Sequence, residues 1–233
     1  MKFIAQLRFK PGAAPFLAAL FIVLAYNFTF WKSFVGATGG LTLVSVPVQV
    51  GMFLLLVLSY NACLALVNFP YVLKPVLVLL FLATSAASYF MDQYGTAIDW
   101  SMIQNVVETN TRESSELLSW KLILTIAVLG VLPSLAVVKA KPRFTGGRRQ
   151  VLSNAGSVAA SLVLAAVLLV LMFKSLAPAL REHRELRFLL TPTNYIQAVN
   201  GYYKRKWRRR PWCGPWAPTP SRASCGTARN AGR

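Results

Sequence analysis

Acidic side chains are scarce in this sequence. Seven aspartates and glutamates stand against 25 lysines and arginines in 233 residues. Charged residues together make up 14% of the chain, where a soluble domain carries about 25%. With 55% of residues hydrophobic, there is too little polar surface for an ordinary soluble fold, and the composition predicts an all-α membrane protein. Histidine occurs once, as His183, and cysteine three times, as Cys63, Cys213 and Cys225. A zinc site built by a protein takes three or four His, Cys or carboxylate ligands, so no metal or other cofactor is expected to be held by this chain. Two cysteines near the C-terminus do not make a disulfide framework. Cys63, inside an apolar segment, is expected to be a small buried residue.

The charge that is present is clumped. Residues 204–233 hold nine basic side chains and no acidic one, which leaves 16 basic against 7 acidic in the rest. Between the clumps lie apolar runs long enough to cross a bilayer, which takes about 20 helical residues. Five are expected, at about 13–31, 41–67, 75–91, 120–138 and 151–173. Pro133 should kink the fourth and require its neighbours to accommodate it. The first run, behind the basic Lys2, Arg8 and Lys10, has the start of a signal peptide, but further spans follow it, so it is taken as a signal anchor. Residues 1–175 thus form a five-helix membrane domain, 176–203 a linker and 204–233 a basic tail.

Lysine and arginine mark the cytoplasmic side of short loops. An N-terminus in the cytoplasm puts Lys2, Arg8, Lys10, Lys74, Lys139, Lys141, Arg143, Arg148 and Arg149 inside, with no acid among them, and all seven acids outside. The C-terminus is then expected in the periplasm. Trp31, Tyr89, Phe90, Tyr94, Trp100 and Trp120 gather at the outer interface, as aromatic belts do. The five spans carry no Asp, Glu, Arg or Lys in their central parts, which argues against the alternative of a small transporter. A stand-alone membrane interaction protein stays open as a second reading.

Five of the seven acids fall in one polar stretch, 89–119, YFMDQYGTAIDWSMIQNVVETNTRESSELLS. Asp99 can cap a helix over 101–118, and Met102, Val106, Ile103 and Val107 give that helix a side that can lie on the bilayer surface. On the other side Asn105, Thr109 and Glu113 recur every four residues, which aligns an amide, a hydroxyl and a carboxylate on one stripe. Such a stripe suits solvent, or a head group bearing both phosphate and ammonium.

This stretch resembles the periplasmic loop after the third helix of the phosphoethanolamine transferases that modify lipid A. A second segment, REHRELRFLLTPTNYIQAVNGYY from Arg181 to Tyr203, is similar to that family's Arg-x-x-Arg-x-Leu-x-Asn-Pro-x-Asn-Tyr segment, with Thr191 where the pattern commonly has Asn. The resemblance covers roughly residues 1–203. It implies that Asn105, Thr109 and Glu113 bind the head group of phosphatidylethanolamine, the donor, and that lipid A is the acceptor. It implies also a threonine nucleophile and zinc in a periplasmic domain resembling alkaline phosphatase, where the metal would polarise the phosphoryl group. Beyond Tyr203 this chain runs KRKWRRRPWCGPWAPTPSRASCGTARNAGR, without that domain's ligands. The expectation is therefore an inner-membrane anchor and lipid-binding domain, truncated before its catalytic half and inactive alone. Its tail has the aperiodic composition of an out-of-frame reading and is expected to be disordered. Bilayer lipids are the expected partners, and nucleic acid is not.

Overall fold

A computed structural model describes residues 12–95, 98, 102–104, 119–140, 147–182, 186 and 188–208. Every regular element among the described residues is helical. Two short helices, α1 (Ala13–Ala25) and α2 (Phe28–Ala37), are followed by α3 (Val46–Leu66), α4 (Leu73–Tyr94), α5 (Trp120–Lys139), α6 (Gly147–Glu182) and α7 (Thr193–Arg208). By length and composition α3, α4, α5 and α6 can each cross a membrane, and α1 with α2 make a fifth crossing if the bent pair is one span.

The first expected span is not one helix. It breaks at Tyr26 and Asn27, and α2 leaves α1 at 65°. The last turn of any helix leaves carbonyls short of partners, and here side chains beyond the break bond two carbonyls of that turn, Ile22 in addition to the Tyr26 N–H it already accepts. The Asn27 amide donates to the Ile22 carbonyl at 2.9 Å, and the Trp31 indole N–H donates to the Val23 carbonyl at 3.0 Å. An asparagine that bonds its own backbone offers the chain an alternative to continuing the helix.

Proline sets the other boundaries. Pro47 lies in the first turn of α3, where no N–H is needed, so the helix starts later than residue 41. Pro75 falls in the first turn of α4, which starts at Leu73 and ends on Gly95 at φ 63°, a left-handed cap that favours glycine. Inside α5, residues Ile126–Val131 widen into a π-helical turn just ahead of Pro133. Pro133 has no N–H to give to the Leu129 carbonyl four residues back. The Tyr26 hydroxyl donates to it instead, at 2.5 Å. A neighbouring helix thus repairs the proline defect.

Three helix contacts hold the bundle: α1 on α3, α3 on α6, and α4 on α5. Two depend on close approach. A Cβ added at Gly51 of α3 would lie 1.7 Å from Met172 Sδ of α6, and one at Gly130 of α5 would lie 2.6 Å from Ser85 Oγ of α4. The core runs through α1 to α4, with Ile22, Tyr26, Phe30, Phe34, Leu77 and Phe81 almost fully enclosed. Phe30 and Phe34 stack one turn apart, at 5.6 Å between ring centroids.

Outside this core the helices present hydrocarbon. Leu152, Val170 and Leu171 of α6 are each about three-quarters exposed, which is tolerable only against lipid. Cys63 is exposed too, contrary to expectation. On a membrane span an apolar residue escapes water without protein around it. At its far end α6 continues through Pro178 to Glu182, beyond the residue 173 expected of a span, and α7 continues to Arg208.

Candidate functional site

Asn105, Thr109 and Glu113 lie outside the described residues, as does His183. Of the helix expected over 101–118, residues 102–104 are described, and they are helical. The two ends of the polar stretch are held together. The Tyr89 hydroxyl of α4 is 2.6 Å from Ser119 Oγ, and the same Oγ accepts the Leu122 N–H at 3.2 Å, capping α5. Ser119 has the extended backbone and accepting oxygen that a helix N-cap requires.

The described polar groups at this end converge on the bend between α1 and α2. Into that bend the segment following α6 inserts Thr191. Its side chain has no exposed surface, and Asn27 opposite is 1% exposed. The Thr191 N–H donates to Asn27 Oδ1 at 3.0 Å, and the Asn27 amide returns a bond to the Thr191 carbonyl at 3.2 Å. The Thr191 hydroxyl lies 3.0 Å from both the Tyr26 carbonyl and Asn27 Oδ1, and its one proton is shared between them. Tyr60 of α3 donates to the Thr191 carbonyl at 2.9 Å. A buried polar group without partners costs about 1–3 kcal/mol. Here each main-chain group of Thr191 is answered by a side chain from the bundle.

The residues on either side of Thr191 continue the docking. Leu186 and Leu189 enter the hydrophobic core. The Asn194 amide reaches Met91 Sδ at 2.7 Å, and the Tyr195 hydroxyl lies 3.2 Å from Thr84 Oγ1 of α4. Burial pushes the Tyr195 phenol above its ordinary value, partly offset by the hydrogen bond with Thr84. Along α7, Ala198 and Tyr202 are buried, while Ile196, Val199, Tyr203 and Trp207 form an exposed apolar stripe. At helical spacing these are two faces of one amphipathic helix.

A cavity of about 350 Å³ lies between the 38–45 turn and the last turns of α6. Thr42, Ser45, Ser175 and Glu182 line it. A carboxylate among hydroxyls can take an ammonium or a hydroxyl-bearing group. Among the described residues no three His, Cys, Asp or Glu side chains come together as metal ligands.

Sequence reasoning singled out the Arg181 to Tyr203 segment but not its receptors. Asn27, Tyr60 and Thr84 are polar residues inside otherwise apolar runs, Tyr60 between Ser59 and Asn61 and Thr84 beside Ser85. Their place within apolar runs is the available signal, because polar side chains within spans act as glue between helices.

The chain is similar to known proteins over most of its length. A family model described as phosphoethanolamine transferase EptA/EptB matches residues 54–207. The phosphatidylethanolamine transferase Mcr-2 of Escherichia coli is 33% identical over 189 residues, covering 78% of this chain and 34% of that protein. The phosphoethanolamine transferase EptA of Escherichia coli O157:H7 is 32% identical over 192 residues, covering 82% and 35%. Among solved structures, the integral membrane lipooligosaccharide phosphoethanolamine transferase A of Neisseria meningitidis matches with a TM-score of 0.78 and 25% identity. That alignment covers 85% of this chain and 37% of the other. The chain spans about a third of the length of the curated relatives it matches. The family match enters the basic tail as far as residue 207, within the last turn of α7. An all-helical apolar bundle and a docked exit segment, matched in sequence and in fold, place this chain in the EptA/EptB family of phosphoethanolamine transferases, as its N-terminal membrane domain.

Proposed function

We propose that the chain anchors a lipid A phosphoethanolamine transferase in the bacterial inner membrane and holds its phosphatidylethanolamine donor. In this reading α1 with α2 make the first of five spans and the 101–118 helix lies on the outer interface. Asn105, Thr109 and Glu113 face the donor head group. The N-terminus is cytoplasmic, and α7 lies on the periplasmic side with Ile196, Val199, Tyr203 and Trp207 against the outer leaflet, as an interfacial helix would.

One observation carries the reading: Thr191 is locked into the bend of the first helix pair. A flexible tether would let whatever follows it in a longer relative sample many positions. A segment bonded to α1, α3 and α4 instead gives a following domain one position above the lipid surface. Holding reactants in fixed geometry is a large source of rate acceleration. The same end of the bundle carries the closed base of the polar stretch, so donor and exit segment share a face.

Binding of phosphatidylethanolamine to the purified chain tests the donor role. Asn105→Ala and Glu113→Ala should each weaken binding, with an unchanged melting temperature. Binding unchanged in both variants would remove these residues from the head-group site.

A further inference from the structure

The opposite end of the bundle holds a second, larger cavity, which the donor reading does not use. It has a volume of about 750 Å³ and lies between the α3–α4 turn and the first turns of α6. That size is ample for a small ligand or a lipid head group. Phe69, Pro70, Val151 and Leu152 give it apolar walls, and Arg148 is the charged side chain that lines it.

Buried amides tie together the elements around it. The Gln150 amide donates to the Asn68 carbonyl at 3.3 Å and to Asn154 Oδ1 at 3.0 Å. The Asn154 amide donates to the same Asn68 carbonyl at 2.8 Å, and Asn68 returns a bond to Asn154 Oδ1 at 3.0 Å. This buried amide network ties the start of α6 to the α3–α4 turn, so the cavity is preformed.

Charge at this end is of one sign. Lys74 reaches the Val138 carbonyl of α5 at 2.9 Å, and Lys139, Arg148 and Arg149 surround the same region. No acidic residue occurs anywhere in 1–91 or 117–181, so none lies on the turns and helix ends that form this region. Nor do Arg148 and Arg149 serve their helix, since cations in a first turn oppose the helix dipole. Apolar walls beside a guanidinium complement one kind of membrane molecule.

We infer that this cavity seats an anionic glycerophospholipid, with its phosphate on Arg148 and its first acyl carbons against Phe69, Val151 and Leu152. Basic pockets between spans at a membrane surface bind such head groups. Phosphatidylethanolamine fits less well, because its ammonium finds no carboxylate here. The inference is independent of the transferase reading, which places its lipid at the other end.

Native mass spectrometry of the full chain, loaded with phosphatidylglycerol or phosphatidylethanolamine, tests it. Arg148→Ala should lower phosphatidylglycerol retention about fivefold, the effect of one basic side chain at an anionic surface, and leave phosphatidylethanolamine retention unchanged. Arg149→Ala, outside the cavity, should change retention much less, and Arg148→Lys should keep most of it. Equal losses from Arg148→Ala and Arg149→Ala would mean a diffuse surface charge and overturn the cavity. Loss of both lipids together would overturn the charge selectivity. Should Arg148→Ala fail to fold, Val151→Glu at the exposed rim replaces it, and undiminished phosphatidylglycerol retention in that variant would overturn the inference.

Discussion

Asn27 and Thr191 are 164 positions apart in sequence and bond each other both ways in the interior, main chain to amide and amide to main chain. Asn27 ends α1, and Thr191 fills the space that the ending creates. The helix break and the docking of the exit segment are therefore one feature, since neither set of polar groups is satisfied without the other.

Removing the amide should cost more than removing the hydroxyl. Asn27→Ala leaves the buried Thr191 N–H without its acceptor and the Thr191 carbonyl with Tyr60 alone, a loss of about 1–3 kcal/mol at the unsatisfied-group rate. Thr191→Val keeps the shape and deletes only the shared hydroxyl bond, for about 1 kcal/mol. Thermal unfolding in detergent measures both. Equal costs would show that the main-chain bonds contribute little.

Tyr26 and Pro133 should be energetically coupled. Tyr26→Phe deprives the Leu129 carbonyl of its donor and should destabilise by about 1–2 kcal/mol. In a Pro133→Ala background the helix regains an N–H for that carbonyl, and most of the cost of Tyr26→Phe should vanish. A double-mutant cycle reads this coupling directly. Additive effects would mean that Tyr26 acts through its ring alone.

Alkaline pH should release the exit segment. Burial raises the proton affinity of the Tyr195 phenol above that of an ordinary tyrosine, so the folded state holds that proton more tightly than the unfolded state. The stabilisation is complete below about pH 10 and falls as pH rises past it. Limited proteolysis within 183–190 should accelerate there, and Tyr195→Phe should flatten the dependence. A profile identical in Tyr195→Phe would assign the release to another group.

The stripe on α7 predicts membrane contact. Tyr203→Ser with Trp207→Ser removes two aromatic rings from its exposed face and should loosen α7 from vesicles without unfolding the bundle. Burying an aromatic side chain contributes about 1.5–3 kcal/mol. Quenching of a fluorophore on α7 by lipid-borne quenchers measures the change. Unchanged quenching would place the stripe against protein.

Much of the fold was legible because the bilayer imposes a simple rule: a span must be apolar and must satisfy its own backbone. Hydropathy therefore marked the apolar runs that became α3 to α6, although α3 starts later than expected and α6 continues to Glu182, and charge asymmetry picked out the basic end. The basic cavity was half legible: Arg148 and Arg149 stood out as charge, but nothing in their spacing indicated a wall made by Phe69 and Pro70. The Arg181 to Tyr203 segment was legible as a motif, but where it docks was not.

By itself the sequence determined that this protein is a helical membrane bundle with clumped basic charge and one acidic polar stretch, since composition and run length act residue by residue. The break at Asn27 could not be read that way. A single asparagine in an apolar run can continue a helix or end one, and the choice depends on partners found 164 residues later in the chain. Nor could the π turn in α5, where Pro133 announces a defect but only the position of Tyr26 decides how it is repaired. Apolar burial is additive and local in sequence. Pairing of buried polar groups is not, and here it is tertiary structure that fixed where the chain leaves the membrane bundle.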